Sequence, residues 1–377
     1  MAGLFIKRLV DELVMSGEVV SVLTPASARG SSQCPNVISF KYMPSFLPGI
    51  AQVPGGIPES VKKNKANYVW LCCLFLCMFV QLLKLGRRYD LIVANWTLTG
   101  VVSGLAGKLL NKPTITVIRG SDVNSSSRLS KLIAWATLTI SDRVVCVNEV
   151  MANQLANAFP DKKNKIKIIT NGVSDTFYQI GRTRPPERPL VNDIRRVVTV
   201  GNLTLNKNIE LIMTALSKLR KSGEKVQLHV VGDGPLRDEL KQKASEKEMG
   251  DSVLFRGALD EPEIAGLLLS ADVFVLASHS EGRSNALCEA MAANLPVLAS
   301  DIPANRSLVK HGISGCLFDP LSDSELSGQV LRYIRDPVYA SSLAWAGHEE
   351  IKQLSGTWSD CAQKYISLIE DILPKYE

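Results

Sequence analysis

The stretch Ala271–Ser300, ADVFVLASHSEGRSNALCEAMAANLPVLAS, decides the reading of this chain. Its first half, Val273–Ala277, is a continuous apolar run of strand length, as expected of a parallel strand covered on both faces. A turn follows at Ser278-His279-Ser280-Glu281-Gly282, and a helix starts near Ser284 and runs to Ala293. The apolar run Pro296–Ala299 then supplies the next strand. Strand, turn, helix and strand in this order make one unit of a parallel α/β sheet, and ligands bind such sheets at the carboxyl ends of the strands.

The turn is chemically suggestive. Backbone N–H groups of Gly282, Arg283, Ser284 and Asn285 point out of the helix start, which favours an anion by ~0.3–1 kcal/mol and suits phosphate. Glu281 and Glu289, eight residues apart, would repel phosphate and are better suited to accept hydrogen bonds from sugar hydroxyls. Alternatively, Glu281 is a helix-cap residue and Glu289 a solvated surface charge.

The same alternation extends in both directions. Toward the carboxyl end, strands are predicted at Val197–Gly201, Val226–Val231, Ser252–Phe255, Val273–Ala277, Pro296–Ala299 and Gly315–Phe318, with helices between them. Pro337–Leu354 and Trp358–Leu373 close the chain as helices. Toward the amino end, Leu4–Met15 has helical periodicity, followed by strands at Val19–Leu23, Leu91–Ala94, Thr114–Ile118, Arg143–Val147 and Lys165–Ile169. The proline-rich Gln179–Asp193 (QIGRTRPPERPLVND) is the expected linker. Two doubly wound α/β domains follow: 1–180 and 190–354, facing a cleft, with 355–377 a terminal helix returning to the first domain. The helix at residue 4 has no strand before it, although the first strand of such a sheet is central. The expectation is a chain that starts late, the alternative a genuinely shortened sheet.

Composition sets the class. The 377 residues are 46% hydrophobic and 21% charged, close to globular averages, which excludes disordered and collagen-like chains. The net charge, 43 − 37 = +6, suits anionic ligands or an acidic membrane surface and is too small to argue for nucleic acid. Eight cysteines without a C-x-x-C pair, most in apolar runs, read as buried reduced thiols of a cytosolic protein. The amino terminus lacks the apolar stretch of a secretory signal. Tyr68–Val80 (YVWLCCLFLCMFV) falls short of a bilayer span and reads as a buried or half-buried helix. Its flanks, Lys62, Lys63 and Lys65 before and Lys84, Arg87 and Arg88 after, keep peripheral docking on an anionic membrane open.

Three more turns lie at predicted strand ends. Gly201, Asn202 and Lys207 follow Val197–Gly201, and a lysine there can neutralise phosphate as a point charge. Gly232 and Gly234 in HVVGDGPLRDEL make a tight turn that begins like G-x-G-x-x-G, but Arg237 takes the third glycine position. Arg119, Gly120, Ser121 and Asp122 end the strand Thr114–Ile118, and Asn95-Trp96 ends its neighbour. Arg119 either contacts a ligand or pairs with Asp122.

Taken together, these residues resemble the family-4 glycosyltransferases of two-domain GT-B fold. The most specific part is the E-x7-E of Glu281 and Glu289, with Ala290-Met291-Ala292 and Leu295-Pro296-Val297 after it. Gly201 with Lys207, the Gly232-Asp233-Gly234-Pro235 turn and Asn171-Gly172-Val173 support it. The resemblance implies transfer, with retention, from a nucleotide-diphosphate sugar to a glycan or lipid-linked acceptor in cell-surface polysaccharide or glycolipid assembly. Glu281 would contact donor hydroxyls, Glu289 the ribose, Lys207 the departing diphosphate, and Arg119, Gly120 and Asp122 the acceptor. Asn202 stands where the family commonly has arginine, Arg119 where it has histidine, and of the first glycine-rich loop only Gly3 remains. No D-x-D occurs, so no motif calls for a metal or other cofactor. The expected location is the cytoplasm, with the inner membrane face open. A nucleotide-sugar epimerase, a non-catalytic scaffold and a hydride-transfer enzyme are the alternatives.

Overall fold

The computed structural model describes residues 4–26, 36–44, 50, 64, 66–119, 128–184 and 194–373. The chain divides into two compact units, one of Phe5–Ile169 with Ala362–Glu377, the other built on Thr170–Cys361.

In the first unit, α1 (Leu4–Met15) leads to β1 (Val22–Pro25) and β2 (Val37–Phe40), which form a parallel pair of their own. Then come α2 (Asn67–Leu85), β3 (Ile92–Asn95), α3 (Thr97–Leu110), β4 (Thr114–Ile118), α4 (Arg128–Ile140), β5 (Arg143–Cys146), α5 (Glu149–Ala158) and β6 (Ile166–Ile168). Strands β3 to β6 pair in chain order in a second parallel sheet. Among the described residues nothing pairs with β1 or β3 on their remaining edges. The burial follows: β4, flanked on both sides, is wholly buried, whereas Val93 of β3 is 41% exposed and β1 is half-buried throughout. The Tyr89 and Ser21 hydroxyls, 2.6 Å apart, tie the approach to β3 to that of β1.

The second unit opens with α6 (Asp175–Thr183), then β7 (Arg195–Val200), α7 (Ile209–Lys221), β8 (Val226–Val231), α8 (Arg237–Glu246) and β9 (Val253–Gly257). It continues through α9 (Glu261–Ser270), β10 (Val273–Leu276), α10 (Asn285–Ala292), β11 (Val297–Ser300), α11 (Pro303–Arg306) and β12 (Cys316–Phe318). Helices α12 (Asp323–Arg335) and α13 (Pro337–Leu354) follow, and α14 (Trp358–Ile372) passes from one unit to the other at Cys361. The six parallel strands are ordered β12-β11-β10-β7-β8-β9. The chain winds outward from β7 through β8 and β9, returns to β10 and winds the other way, so its switch point lies between β7 and β10.

Alternation along the strands builds both cores of this unit. Val197, Val273 and Val275 pack with Ile212, Leu216 and Val330 on one face, and Val198, Phe274 and Leu276 with Phe177, Leu287 and Met291 on the other. Helix starts are capped by sequence: Asp260 and Glu263 form a reciprocal box at α9, and Ser322 and Asp336 cap α12 and α13.

Two differences from the sequence expectation have physical causes. The units divide at Thr170, not in the proline-rich stretch: α6 inserts Phe177 and Tyr178 into the second core, and Val173 bridges to Thr357. Strand β2 lacks a long apolar run and was not expected. Among the described cysteines all are free; Cys146, Cys288, Cys316 and Cys361 are buried, as expected, but Cys72 is exposed on α2.

Candidate active site

In the second unit the predicted residues converge at the carboxyl ends of β7, β8 and β10. Strands β7 and β10 pair directly, Val197 opposite Val273 and Val198 opposite Phe274, so the loops that leave them are neighbours. A 3-10 turn, Leu205–Lys207, ends the first loop, and Lys207 Nζ lies 2.6 Å from Glu281 Oε1 in the second. Both side chains are largely withdrawn from solvent, at 19% and 11% exposure. A clip holds the loops in place: the Asn206 carbonyl accepts from the His279 amide at 2.9 Å, and Asn206 Nδ2 donates to the Ser280 carbonyl at 2.8 Å. Nothing in the local sequence pattern marks Asn206, because its partners lie in a distant segment.

Glycines allow the backbone to close around this pair. Gly232 sits at φ +126°, and a Cβ there would come within 2.0 Å of the Gly201 carbonyl oxygen. Gly201 in turn lies under the Lys207 side chain, whose Cε would be 3.0 Å from an added Cβ. The turn after β8 is therefore pressed against the turn after β7, a contact that leaves no room for a side chain. Asn202 beside them is exposed. Arg237, at the position where a third glycine would stand, faces Asp233 at 3.6 Å.

Helix α10 carries the second glutamate. Ser284 caps it, its hydroxyl accepting from the Leu287 amide at 3.3 Å, so Glu281 is not the cap residue. Glu281 instead forms the ion pair with Lys207. Glu289 is 9% exposed, which sets aside the reading of a solvated surface charge. Gly282 and Arg283 lie on the connection from Glu281 to the helix, and Asn285 is the helix's first residue. The Arg283 guanidinium reaches Ser355 Oγ, and Asn285 Oδ1 accepts from Asn171 Nδ2 at 3.1 Å. Gly172, next to Asn171, is held by a close backbone approach to Thr357 that again excludes a Cβ. Arg283 can thus serve the site through its backbone, while its side chain braces the fold.

Two cavities of this unit do not include the pair. One, about 630 Å³, lies past β11 and β12 and is lined by Asp301, Arg306, His311, Phe318, Asp319 and Glu325; the other, about 420 Å³, is lined by residues that include Arg184, Asp272 and Trp345.

In the first unit, Arg119 Nε donates to Asn95 Oδ1 at 2.9 Å, joining the carboxyl ends of adjacent strands β4 and β3. Its guanidinium also stacks over Phe5, 4.2 Å from the ring centre. Trp96, next to Asn95, holds φ +71° and is 41% exposed, an unusual backbone for a bulky residue. Gly120 and Asp122, and with them the expected Arg119–Asp122 pairing, lie outside the described residues. Among the described residues no group of three or more His, Cys, Asp or Glu could hold a metal ion.

The second unit is a doubly wound parallel α/β sheet with its switch point between β7 and β10, and the first is a parallel α/β unit whose four-stranded sheet runs in chain order, which together are of the Rossmann-like type. The chain belongs to the glycosyltransferases of GT-B fold: residues 2–177 match the model for Glycosyltransferase Family 4, and residues 183–349 that for Glycosyl transferases group 1. It is 28% identical over 202 residues to the alpha-monoglucosyldiacylglycerol synthase of Streptococcus pneumoniae, a match covering 50% of this chain and 44% of that one. It is 24% identical over 374 residues to glycogen synthase of Mycobacterium tuberculosis, covering 93% and 86%. Among solved structures, sucrose-phosphate synthase from Thermosynechococcus elongatus superimposes with a TM-score of 0.78 at 20% identity, covering 99% and 93%. An Anabaena protein solved with UDP gives 0.69 at 19%, covering 89% and 86%.

Proposed function

We propose that the protein transfers a hexosyl group, with retention at the anomeric carbon, from a nucleoside-diphosphate sugar to a polysaccharide or lipid-linked acceptor of the cell surface. The observation that carries this is the Lys207–Glu281 pair at the switch point, a cation and a hydroxyl acceptor 2.6 Å apart where a diphosphate sugar would lie. In this reading Lys207 takes the charge that develops on the leaving diphosphate, and the start of α10 shares it. Glu281 then accepts from donor hydroxyls, and Glu289 from the ribose. Arg119, with Gly120 and Asp122, serves the acceptor. The protein works without a metal cofactor, because a lysine and backbone amides supply the positive charge.

Two likenesses favour the substrate classes. The relatives named above synthesise a glycolipid and glycogen, and the Anabaena neighbour was solved with UDP, which makes UDP the first nucleotide to try. The test is incubation with UDP-sugars and a panel of lipid and glycan acceptors, reading UDP release and the anomeric configuration of the product. Acceptor-dependent UDP release with retained configuration, unaffected by a chelator, supports the reading. An inverted product, or chelator-sensitive transfer, contradicts it.

A further inference from the structure

Helices α2, α3 and α4 of the first unit pack side by side, α2 against α3 and α3 against α4. Their exposed positions are apolar where a solvated helix face carries polar residues. Leu76 and Val80 on α2, Leu105 and Leu109 on α3, and Leu132 and Trp135 on α4 are each between 40% and 70% exposed. A monomer rarely leaves so many large apolar groups on one helical layer without a partner.

The charges identify that partner. Along α2 the stripe steps by three or four residues from Leu76 through Val80 to Lys84, and on to exposed Arg87 and Arg88. Arg128 and Lys131 stand on α4 and Lys108 on α3, and none of the three helices contains an aspartate or glutamate. Exposed Asp90 and Asp142 lie just past the ends of α2 and α4, but an apolar face whose own helices carry cations and no acids matches acyl chains below anionic headgroups. A second copy of this face would bring like charges together. Helix α2 is apolar and long enough to cross a membrane by composition, with 11% of its apolar window buried, but Trp70, Leu71, Leu74, Cys77 and Met78 pack into the fold. Leu74, 4% exposed, packs with Phe40, Tyr42 and Ile50, and crossing the bilayer would tear it from them.

We propose that the α2–α3–α4 face docks the protein peripherally on an anionic lipid surface, α2 lying along the interface with Lys84, Arg87 and Arg88 at headgroup level. This goes beyond sugar transfer and does not depend on it, since the measurements below use neither donor nor acceptor.

The test is flotation of the full chain with vesicles of phosphatidylcholine, with and without phosphatidylglycerol. The bound fraction is expected to rise about tenfold with the anionic lipid and to fall with added salt. Leu76→Glu with Val80→Glu, and separately Leu132→Glu with Trp135→Glu, should each cut binding about tenfold while the melting temperature and far-UV circular dichroism stay unchanged. Lys84→Gln with Arg87→Gln and Arg88→Gln should abolish the preference for phosphatidylglycerol. Alkylation of exposed Cys72 should slow when vesicles are added. Failure of the wild type to float, or flotation of the glutamate variants equal to it, overturns the proposal. So does a solution dimer, with no vesicle binding, that the same variants dissolve. Resistance to extraction by alkaline carbonate would place α2 across the bilayer and overturn peripheral docking.

Discussion

Lys207 Nζ stands 2.6 Å from Glu281 Oε1 although 74 residues separate them in the chain. The pairing of β7 with β10 brings them together, and each neutralises the other in a setting mostly closed to water. A diphosphate that reaches Lys207 must compete with the Glu281 carboxylate for it. In the function proposed above, nucleotide binding would release the glutamate for a sugar hydroxyl, coupling the two steps through one ion pair.

Opposite effects on nucleotide affinity follow for the two partners. Glu281→Gln should tighten UDP binding by about 3- to 10-fold, because the lysine no longer has a competing anion, while kcat falls at least about tenfold. Lys207→Ala should weaken UDP binding and slow turnover together. Calorimetry and steady-state kinetics on both variants check this; weaker UDP binding in Glu281→Gln would break the proposed competition.

The close contact of Gly232 with Gly201 should make Gly232→Ala costly. A side chain at φ +126° and 2.0 Å from a carbonyl oxygen requires the turn to move. The expected loss is about 2–4 kcal/mol in urea denaturation, with UDP binding lost as well. Gly266, around which an added Cβ would meet nothing within 4 Å, is the control: Gly266→Ala lies in the interior of α9 and should not destabilise.

His229 on β8 gives a pH dependence unrelated to catalysis. It is 3% exposed, with Nε2 at 2.9 Å from Gln227 Oε1, and burial, then Arg256 and Arg196, push it down to about 4. Above the unfolded value of about 6.5 the ring is neutral in both states and contributes nothing. As pH falls through that value the unfolded chain takes a proton the folded one refuses, so stability is lost down to about 4 and then levels. The loss is on the order of 3 kcal/mol. His229→Gln should flatten the fall in Tm across this window relative to the wild type, as followed by calorimetry.

Trp96 holds its positive φ at a backbone cost of about 1–3 kcal/mol. Trp96→Gly should leave stability unchanged or raise it, and should raise the acceptor KM if the exposed ring serves the acceptor side. Thermal melting and acceptor titration separate these effects; a lower Tm would show that the ring, not the strain, dominates.

Much of this was legible in the sequence because local patterns were strong. Helix Leu4–Met15 and strand Thr114–Ile118 have the expected bounds, and the turn at Ser278–Gly282 leads into the helix foreseen near Ser284. The neighbourhood of Lys207 and Glu281 was legible only as two separate strand ends; their ion pair depends on strand order, which no local period encodes. Asn206 was missed because its hydrogen bonds are made in tertiary structure. The division of the units at Thr170 carries no local signal, whereas prolines mark irregular backbone whether or not it joins two units. Trp96 carries no signal, since a positive φ at a non-glycine residue is imposed by the fold.

Glu289 offers the most direct test of the account. Titration of UDP into the wild type and Glu289→Ala, with uridine as a second ligand, reads the proposed ribose contact without any requirement for turnover. The account predicts about 5- to 20-fold weaker binding of both ligands in the variant, the loss of one charged hydrogen bond. Unchanged affinity for UDP and uridine in a folded Glu289→Ala protein, or no UDP binding by the wild type, would contradict it.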